Sequence, residues 1–218
     1  MPEANSAREE ILARIRSSNP PDSDDTRLIQ EWMAIRRPFR RKGRLDPEDR
    51  LQLFEDRLND YGAGVHHAIS QTELPQVIAA AIQARGKHKM LVPPEFPQAW
   101  LPKNIEVVRD NQLSHDALDQ CDGVITDCTL AIALTGTIVL QSGPMEGRRA
   151  LTLIPDYQVC VVRANQIVEF VPEALEELHS MGTRPITFFS GPSATSDIEM
   201  TRIKGVHGPR VLDAIIFT

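Results

Sequence analysis

The residues best suited to chemistry lie near the end of the chain, in the stretch SGPSATSDIEMTRIKGVHGP from Ser190 to Pro209. An apolar run before it, Ile186–Phe189, predicts a strand. Glycine, proline and several hydroxylated or acidic residues follow, a pattern that predicts a tight turn and the start of a helix. Because unpaired N–H groups at a helix start favour an anion, this loop is a candidate anion site. Its candidate ligand-binding residues are Gly191, Ser193, Thr195, Ser196 and Asp197.

A histidine between glycines, His207 in the run Gly205–Pro209, follows this loop closely. Two unusual turns so near each other weaken folding unless they form a site. Because the unperturbed pKa of histidine lies near neutrality, His207 is the candidate acid–base group. The alternative is a histidine that hydrogen-bonds backbone within a tight turn. A Ser193–His207–Asp197 triad can be written, but no nucleophile-elbow pattern surrounds Ser193.

Further candidate donors lie upstream in the sequence. Thr135, Gly136 and Thr137 offer two hydroxyls and a close backbone approach. Arg148 and Arg149 carry guanidinium groups that can hold a carboxylate or phosphate. We therefore expect a small anion to bind where these residues approach the loop described above. The alternative is that the loops are tight turns that hold sheet edges in register, with both arginines in solvent.

Three motifs together resemble a known family: GPSATSDIE, GVHGP and, upstream, ALTGTIVL. They closely resemble the lactate utilization protein C family over about Gly64 to Thr218. The resemblance implies a three-layer fold shared with CoA transferases and phosphosugar isomerases, and a role in oxidising lactate to pyruvate. In that family a glutamate commonly precedes the Thr135-Gly136-Thr137 motif, whereas this chain has Leu134. This departure argues against a covalent acyl-transfer reaction of the kind that CoA transferases perform.

Composition excludes several classes of protein. A net charge of −6 argues against a general nucleic-acid binder. No apolar run approaches the roughly 18 residues that span a bilayer, and no export signal is visible, so we expect a cytoplasmic protein. Cys121, Cys128 and Cys160 lack metal-site spacing and are expected to be free thiols. The histidines lie on different elements, so no metal site is expected, and no flavin, nicotinamide or iron–sulfur motif indicates a cofactor.

Short apolar strands alternate with amphipathic helices, which predicts an α/β fold of three layers, α/β/α, with a mostly parallel sheet. The short connection between Ile138–Gln141 and Tyr157–Val162 predicts an antiparallel insertion in that sheet. A helix at Pro172–Met181 is expected to turn Leu175 and Leu178 inward. Because ligands sit beyond the carboxyl ends of parallel strands, the loop Thr126–Asp127 after Gly123–Thr126 is a second candidate site.

The chain is expected to contain one main domain preceded by an arm. Ser6 and Glu9 form a capping box for an N-terminal helix, and an acidic connector follows. We therefore divide the chain into an arm at residues 1–26 and an α/β domain at residues 27–218. Six of the nine residues in Arg36–Arg44 are basic, which is typical of a solvated loop, although an anionic partner surface is the alternative.

Three functions are compatible with these features. The first is an accessory or substrate-binding subunit of a bacterial lactate-oxidising system that binds lactate or a similar small anion. Because the chain lacks an electron acceptor of its own, we expect cluster-bearing protein partners, which the family resemblance also implies. The second is a free-standing enzyme acting on a phosphosugar, a CoA thioester or another small anion. The third is a binding module that senses a small carboxylate. Oligomeric state is left open.

Overall fold

The computed structural model describes residues 4–18, 25–192, 194–195, 203–204 and 208–217. The chain divides into two compact units, Met1–Phe39 and Arg40–Thr218. The first unit contains the helices α1 (Ala4–Ser18) and α2 (Asp25–Ala34). Helix α1 begins before Ser6, so the expected capping box lies inside it, and α2 occupies sequence that gave no helix prediction. The domain boundary after residue 26 stays a prediction.

The second unit alternates strands and helices along most of its length. Its helices are α3 (Pro47–Asp60), α4 (Leu74–Ala84), α5 (His115–Asp119) and α6 (Val171–Ser180). The strands of the described residues are, in chain order, β1 (Gly64–Ala68), β2 (Lys89–Val92), β3 (Glu106–Arg109), β4 (Gly123–Thr126), β5 (Leu130–Ile132), β6 (Thr137–Leu140), β7 (Tyr157–Arg163), β8 (Ile167–Val168), β9 (Thr187–Ser190), β10 (Ala194–Thr195), β11 (Ile203–Lys204) and β12 (Val211–Phe217). Among the described residues of both units, none of the helices has the length and the apolar character that a membrane span requires.

The main sheet has six strands in the order β1-β12-β7-β4-β2-β3, and every neighbouring pair is parallel. Its strands read as short continuous apolar runs because both faces are covered. Helix α4 covers one face, where Ile78 and Ile82 pack against Ile125 and Val159. On the other face Phe54 and Leu58 of α3 belong to a core that includes β7 and β12. The predicted α/β class with a mostly parallel sheet is confirmed.

The antiparallel strands form a second sheet and are not an insertion in the main one. This sheet has the order β8-β5-β6-β9, in which β6 pairs antiparallel with both of its neighbours. It packs between α3 and α6, so the layer on that side of the main sheet is mixed. The expectation of an insertion was wrong because β6 and β7, although close in sequence, belong to different sheets.

Two local expectations were also wrong. In α6 the buried side chains are Ala174 and Leu178, four residues apart on one face, whereas Leu175 is 52% exposed. After Gly191, residues Ala194 and Thr195 form strand β10 and pair with β11, so these two residues are extended and not helical; residues 196–202 lie outside the described part of the chain. A glycine is still required at position 191, because its φ is +74° and a Cβ would lie 2.3 Å from Tyr61 Cβ.

Residues 40–45, which precede α3 within the second unit, are held to the end of β8 and the start of α6 through backbone hydrogen bonds and one ion pair. The N–H of Gly43 donates to Glu173 Oε1 at 2.7 Å, and the N–H of Leu45 donates to Glu169 Oε2 at 2.7 Å. Arg40 also pairs with Glu169 at 3.7 Å. Glu169 is buried, so the Leu45 N–H and the Arg40 guanidinium satisfy a carboxylate that would otherwise be costly to desolvate.

A buried carboxylate, Asp213 of β12, joins β1, α4 and β7 at the amino-terminal side of the main sheet. Arg85 donates to both of its oxygens, at 2.7 and 3.1 Å, and the Tyr157 hydroxyl donates to Oδ2 at 2.7 Å. Burial alone would raise the pKa of Asp213, but the donors on Arg85 and Tyr157, with His66 Nε2 3.7 Å from Oδ1, outweigh it and hold the pKa well below its usual range.

Replacing Asp213→Asn is expected to lower the free energy of unfolding by about 2–4 kcal/mol, because Arg85 and Tyr157 lose a charged acceptor. Urea denaturation measures the change. The matched control is Asp156→Asn, which breaks an exposed pair with Arg210 and is expected to cost about 0–1 kcal/mol. Equal effects of the two substitutions would contradict the structural role of Asp213.

The stability of the wild type is also expected to fall in acid. Because the pKa of Asp213 is lowered on folding, its contribution is present above the ordinary pKa of aspartate, about 3.9, and is lost as pH falls below it. The Asp213→Asn protein lacks this contribution and should lose less stability over the same range. Urea midpoints measured between neutral and strongly acidic pH test this; parallel curves for the two proteins would refute it.

Candidate functional site

A cavity of about 390 Å³ lies beyond the carboxyl ends of β4 and β7. Asp127 follows the last residue of β4, and Arg163 is the last residue of β7, so parallel pairing brings both side chains to one edge of the sheet. The loop after β6 closes over this edge, since the N–H of Asp127 donates to the Met145 carbonyl at 3.1 Å. We call this space the carboxyl-end cavity. Its other polar lining residues are Glu95, Thr129, Gln141, Glu146, Gln166 and Arg184.

Asp127 is the most unusual group in this cavity. Asp127 is 3% exposed to solvent, and Arg163 Nη2 donates a hydrogen bond to its Oδ2 at 2.7 Å. Oδ1 is buried and has no hydrogen-bond partner among the described residues. Burial raises the pKa of Asp127; the Arg163 charge and the neighbouring backbone N–H of Cys128 oppose this effect, whereas Glu146 adds to it, and the net shift is upward. A buried carboxyl beside a charged partner in a cavity has the features of a functional group.

Glu146 holds the loop that closes the cavity. Its Oε1 accepts from the Thr129 hydroxyl at 2.5 Å, and its Oε2 accepts from the N–H groups of Gln141 and Gly143 at 2.5 and 3.2 Å. Both carboxylate oxygens are therefore occupied by donors from the chain itself. Glu146 shapes the cavity wall and leaves Asp127 as the carboxylate with an unmet acceptor.

Gln141 supplies a complementary unmet donor. It is the first residue after β6, is 5% exposed, and lines the same cavity as Asp127. Its backbone is fixed by Glu146, but its side-chain Nε2 is buried with no acceptor in the described part of the chain. An unmet buried donor or acceptor costs about 1–3 kcal/mol, so the fold carries this cost at the wall of the cavity.

The two guanidinium groups of the cavity differ in their surroundings. Arg163 is ion-paired with Asp127, and its guanidinium carbon lies 5.8 Å from the centre of the Trp100 ring. Arg184 lies on the exposed side of the cavity and makes no ion pair with any described residue. The cavity thus combines a buried carboxylate with cationic groups that suit a carboxylate ligand.

A second cavity, of about 260 Å³, contains part of the site expected from sequence. Arg149 and Gly191 both line it, together with Gln158 of β7 and Gly208. The Arg149 side chain donates to the carbonyl and the hydroxyl of Thr152, both at 2.9 Å, and desolvation lowers the pKa of its guanidinium. We call this space the Arg149 cavity. It lies toward the amino ends of β7 and β12, whose early residues line it.

The Thr135-Gly136-Thr137 turn has a structural task that accounts for its hydroxyls. Thr137 Oγ1 lies 2.7 Å from both Thr135 Oγ1 and Ser190 Oγ, so the three hydroxyls form a chain between β6 and β9. Gly136 has a φ of +55°, and a Cβ there would lie 2.6 Å from Arg57 Cβ. These contacts therefore favour the alternative interpretation of this turn, that it holds the sheet edges in register.

Arg148 lies apart from both cavities. It donates to the two oxygens of buried Asp110 at 2.7 and 3.0 Å and to the Leu113 carbonyl at 2.6 Å. The hydrogen bonds that Arg148 donates to Asp110 raise the pKa of the Arg148 guanidinium. The structure thus separates the two neighbouring arginines and brings only Arg149 together with Gly191.

Several expected site residues lie outside the described residues: Ser193, Ser196, Asp197 and His207. Thr195 lies in β10, where it pairs with Ile203. Their roles in ligand binding stay predictions. The three cysteines are free and buried, as expected. Within the described ranges, no group of three or more His, Cys, Asp or Glu is placed to hold a metal ion.

Comparison with known proteins establishes the family. The sequence model of the LUD domain matches residues 51–217. The chain belongs to the LUD domain family. It is 48% identical to a protein called lactate utilization protein C from Deinococcus radiodurans, over 76% of this chain and 78% of that protein. A protein of the same name from Halalkalibacterium halodurans is 29% identical over 70% of this chain and 74% of its own length.

A solved structure supports the same grouping. The crystal structure of a DUF162 family protein from Deinococcus radiodurans matches with a TM-score of 0.70 and 40% sequence identity. The match covers 80% of this chain and 100% of the crystallised one. The resemblance to the lactate utilization protein C family is thereby confirmed, and the further likeness to CoA transferases stays an expectation.

For this LUD domain, sequence reasoning found one residue of the carboxyl-end cavity and missed the rest. Asp127 was visible because it follows a strand. Gln141 and Glu146 lie in a loop whose fold depends on contacts across the chain, and Arg163 looked like an ordinary strand end. A charged residue at the carboxyl end of each of two strands is the signal that could have found Arg163.

The substitution Glu146→Gln is expected to lower the free energy of unfolding by about 1–3 kcal/mol, because an amide NH₂ then faces N–H or O–H donors. It should also speed hydrogen exchange at the N–H groups of Gln141 and Gly143, which NMR or mass spectrometry detects. The control Glu95→Gln changes an exposed acid of the same cavity and is expected to change stability by less than about 0.5 kcal/mol. Unchanged exchange in the Glu146→Gln protein would contradict the assigned role.

Proposed function

We propose that this protein is a component of a lactate utilization system and binds a small carboxylate in the carboxyl-end cavity. One observation carries the proposal: two guanidinium groups line one cavity at the carboxyl ends of β4 and β7, and one of them, Arg184, is exposed and makes no ion pair with any described residue. The relatives called lactate utilization protein C supply the choice of system.

The physical argument rests on charge and burial. A carboxylate that enters the cavity meets the guanidinium groups of Arg163 and Arg184, and each charge-assisted hydrogen bond contributes about 1.5–3 kcal/mol. Part of this gain offsets the lost freedom of the ligand, so affinities of about micromolar to millimolar are expected. Such values suit an abundant metabolite.

Within that system, the chain's role is that of an accessory or substrate-binding subunit. The sequence carries no flavin, nicotinamide or iron–sulfur motif, and cluster-bearing protein partners would supply the electron acceptor. This part of the proposal extends the family resemblance, and co-purification of the full-length chain with such partners from its own cells is its test.

A second candidate function is an enzyme that acts alone on a small anionic metabolite. The observation that favours it is Asp127, a buried carboxyl whose pKa burial raises and which adjoins open space. Turnover of a phosphosugar, a CoA thioester or a hydroxy acid by the isolated chain would support this function over the accessory role.

Calorimetric titration of lactate, pyruvate, acetate and inorganic phosphate tests the proposed site. The substitution Arg184→Ala removes an exposed cation that has no ion pair in the described structure, so folding should be intact while carboxylate binding weakens about 10-fold. Arg163→Lys should weaken binding further, because a lysine cannot hold Asp127 and a ligand with one planar group.

Two further variants assign the site. Arg149→Ala changes the Arg149 cavity and is expected to leave the affinity for carboxylates within about 2-fold of the wild type. If this substitution alone abolished carboxylate binding, the ligand would be assigned to the Arg149 cavity. Arg14→Ala, on an exposed face of α1, controls for loss of positive charge. If none of the small carboxylates binds the wild type, the proposed function is wrong.

A further inference from the structure

We infer that helix α2 is a docking element for an anionic lipid bilayer: its apolar face enters the headgroup boundary, and the basic run that follows it, Arg36–Arg44, pairs with anionic headgroups. The inference goes beyond the proposed function and does not depend on the carboxyl-end cavity. It gives the protein a peripheral attachment to a membrane surface.

Helix α2 is amphipathic, and its apolar face is exposed. Its large apolar side chains fall within an arc of about 140° when successive residues are placed about 100° apart around the helix axis. They are Leu28, Ile29, Trp32 and Met33, and each is at least half exposed. Asp25, the first residue of the helix, is its one polar residue within that arc. On the polar side, Arg27 pairs with Glu31 at 2.8 Å.

This apolar face is an addition to the shared domain. The LUD domain model begins at residue 51, so α2 is not part of the fold that the family has in common. A contiguous group of exposed apolar side chains on a soluble protein marks an interaction surface. The face of α2 is therefore expected to have an occupant.

A cation stands at the end of the apolar face. The guanidinium carbon of Arg37 lies 4.7 Å from the centre of the Trp32 ring, and Arg37 Nη2 donates to the Trp32 carbonyl at 3.0 Å. Tryptophan is enriched at membrane interfaces, where its ring spans apolar and polar surroundings. An exposed apolar face that leads into positive charge is typical of helices that lie in the plane of a membrane surface.

The charge of the chain is unevenly distributed along the sequence. Residues 27–44 hold seven of the 24 basic residues and one of the 30 acidic residues, so they carry a charge of +6, whereas the whole chain carries −6. The remaining residues are therefore strongly acidic and are repelled by an anionic surface. The segment that contains α2 and the basic run is the part of the chain that such a surface attracts.

A bilayer meets both requirements of this segment at once. Its headgroup boundary accepts apolar side chains from a helix that lies flat, and its anionic lipids accept basic side chains without a fixed geometry. A protein partner, including a second copy of this chain, needs an apolar groove with acidic groups at matching positions. Because the arc contains only Asp25 as a polar group for a partner to match, the bilayer is favoured.

Trp32 allows a direct measurement of docking. The chain has two tryptophans; Trp32 is 66% exposed, whereas Trp100 is 4% exposed in the core. The full-length protein is mixed with vesicles of phosphatidylglycerol and phosphatidylcholine in equal parts. The protein should float with the vesicles, and its fluorescence should shift to shorter wavelength. Trp32→Phe should float without the shift.

Vesicles of phosphatidylcholine alone test the contribution of charge. They are expected to bind the wild type at least about 10-fold more weakly than the anionic vesicles, because the basic run then lacks its counter-charges. Added salt should weaken binding to the anionic vesicles, since it screens exposed charges.

The double substitution Leu28→Gln with Met33→Gln tests the apolar face. Glutamine is a good helix former, so α2 should persist while half of its apolar side chains are lost. Flotation with anionic vesicles is expected to weaken at least about 10-fold, because less apolar area enters the bilayer. The matched control Ala34→Gln places the same side chain on the polar side of α2 and should bind like the wild type.

The double substitution Arg36→Gln with Lys42→Gln tests the basic run. It should weaken binding to anionic vesicles about 10-fold and leave binding to phosphatidylcholine vesicles unchanged. The control Arg8→Gln with Lys103→Gln removes the same charge from exposed positions elsewhere and should change the affinity by less than about 3-fold. Circular dichroism and melting temperature check the folding of each variant.

The other occupants are outcomes of the same experiments. Binding to neither kind of vesicle overturns the inference and leaves an acidic protein partner as the occupant, and equal binding to both kinds overturns it too. Light scattering without vesicles tests for a second copy. A dimer that Leu28→Gln with Met33→Gln dissociates overturns the inference, because the apolar face is then already covered. None of these results bears on carboxylate binding.

Discussion

Burial of both faces of the main sheet is the constraint on which the rest of the structure depends. Strand β7 lies between β4 and β12, and its alternate residues enter different cores: Val159 and Val161 face α4, whereas Cys160 and Val162 face α3. A slip of one residue would exchange these faces, so the register is strongly specified. The same register sends Asp127 and Arg163 to one edge, which makes the carboxyl-end cavity a consequence of core packing.

The part of the fold that follows from local periodicity could be predicted from sequence. Strand β4 has the expected bounds, and short apolar strands alternate with helices as expected, because continuous apolar runs and a 3.6-residue period are local signals. The second sheet could not be predicted. Strand β5 has three residues, and the residues that it pairs with in the parallel strand β8 lie 36 positions further along the chain, so pairing depends on contacts between distant segments.

The site was less accessible to sequence reasoning, and Arg148 and Arg149 show why. The two residues are adjacent and chemically identical, yet one is held by buried Asp110 and the other lines a cavity with Gly191. Only the position of Asp110 decides between them, and it comes from a different loop. Gln141 is a similar case, because an unmet amide becomes informative only once the loop around Glu146 has folded.

Chemical modification of the three buried cysteines can measure local opening of this protein. Cys160 lies in the central strand and is fully buried, Cys128 lines the carboxyl-end cavity at 2% exposure, and Cys121 follows α5 at 6% exposure. Burial raises the pKa of the Cys121 thiol, so little of it is ionised in the native state. Because the thiolate is the reactive form, an alkylating reagent reacts slowly with native Cys121. Alkylation then requires local opening of the fold. Cys121 would report on the periphery, whereas Cys128 and Cys160, whose side chains interact, would report together on the cavity wall and the sheet centre.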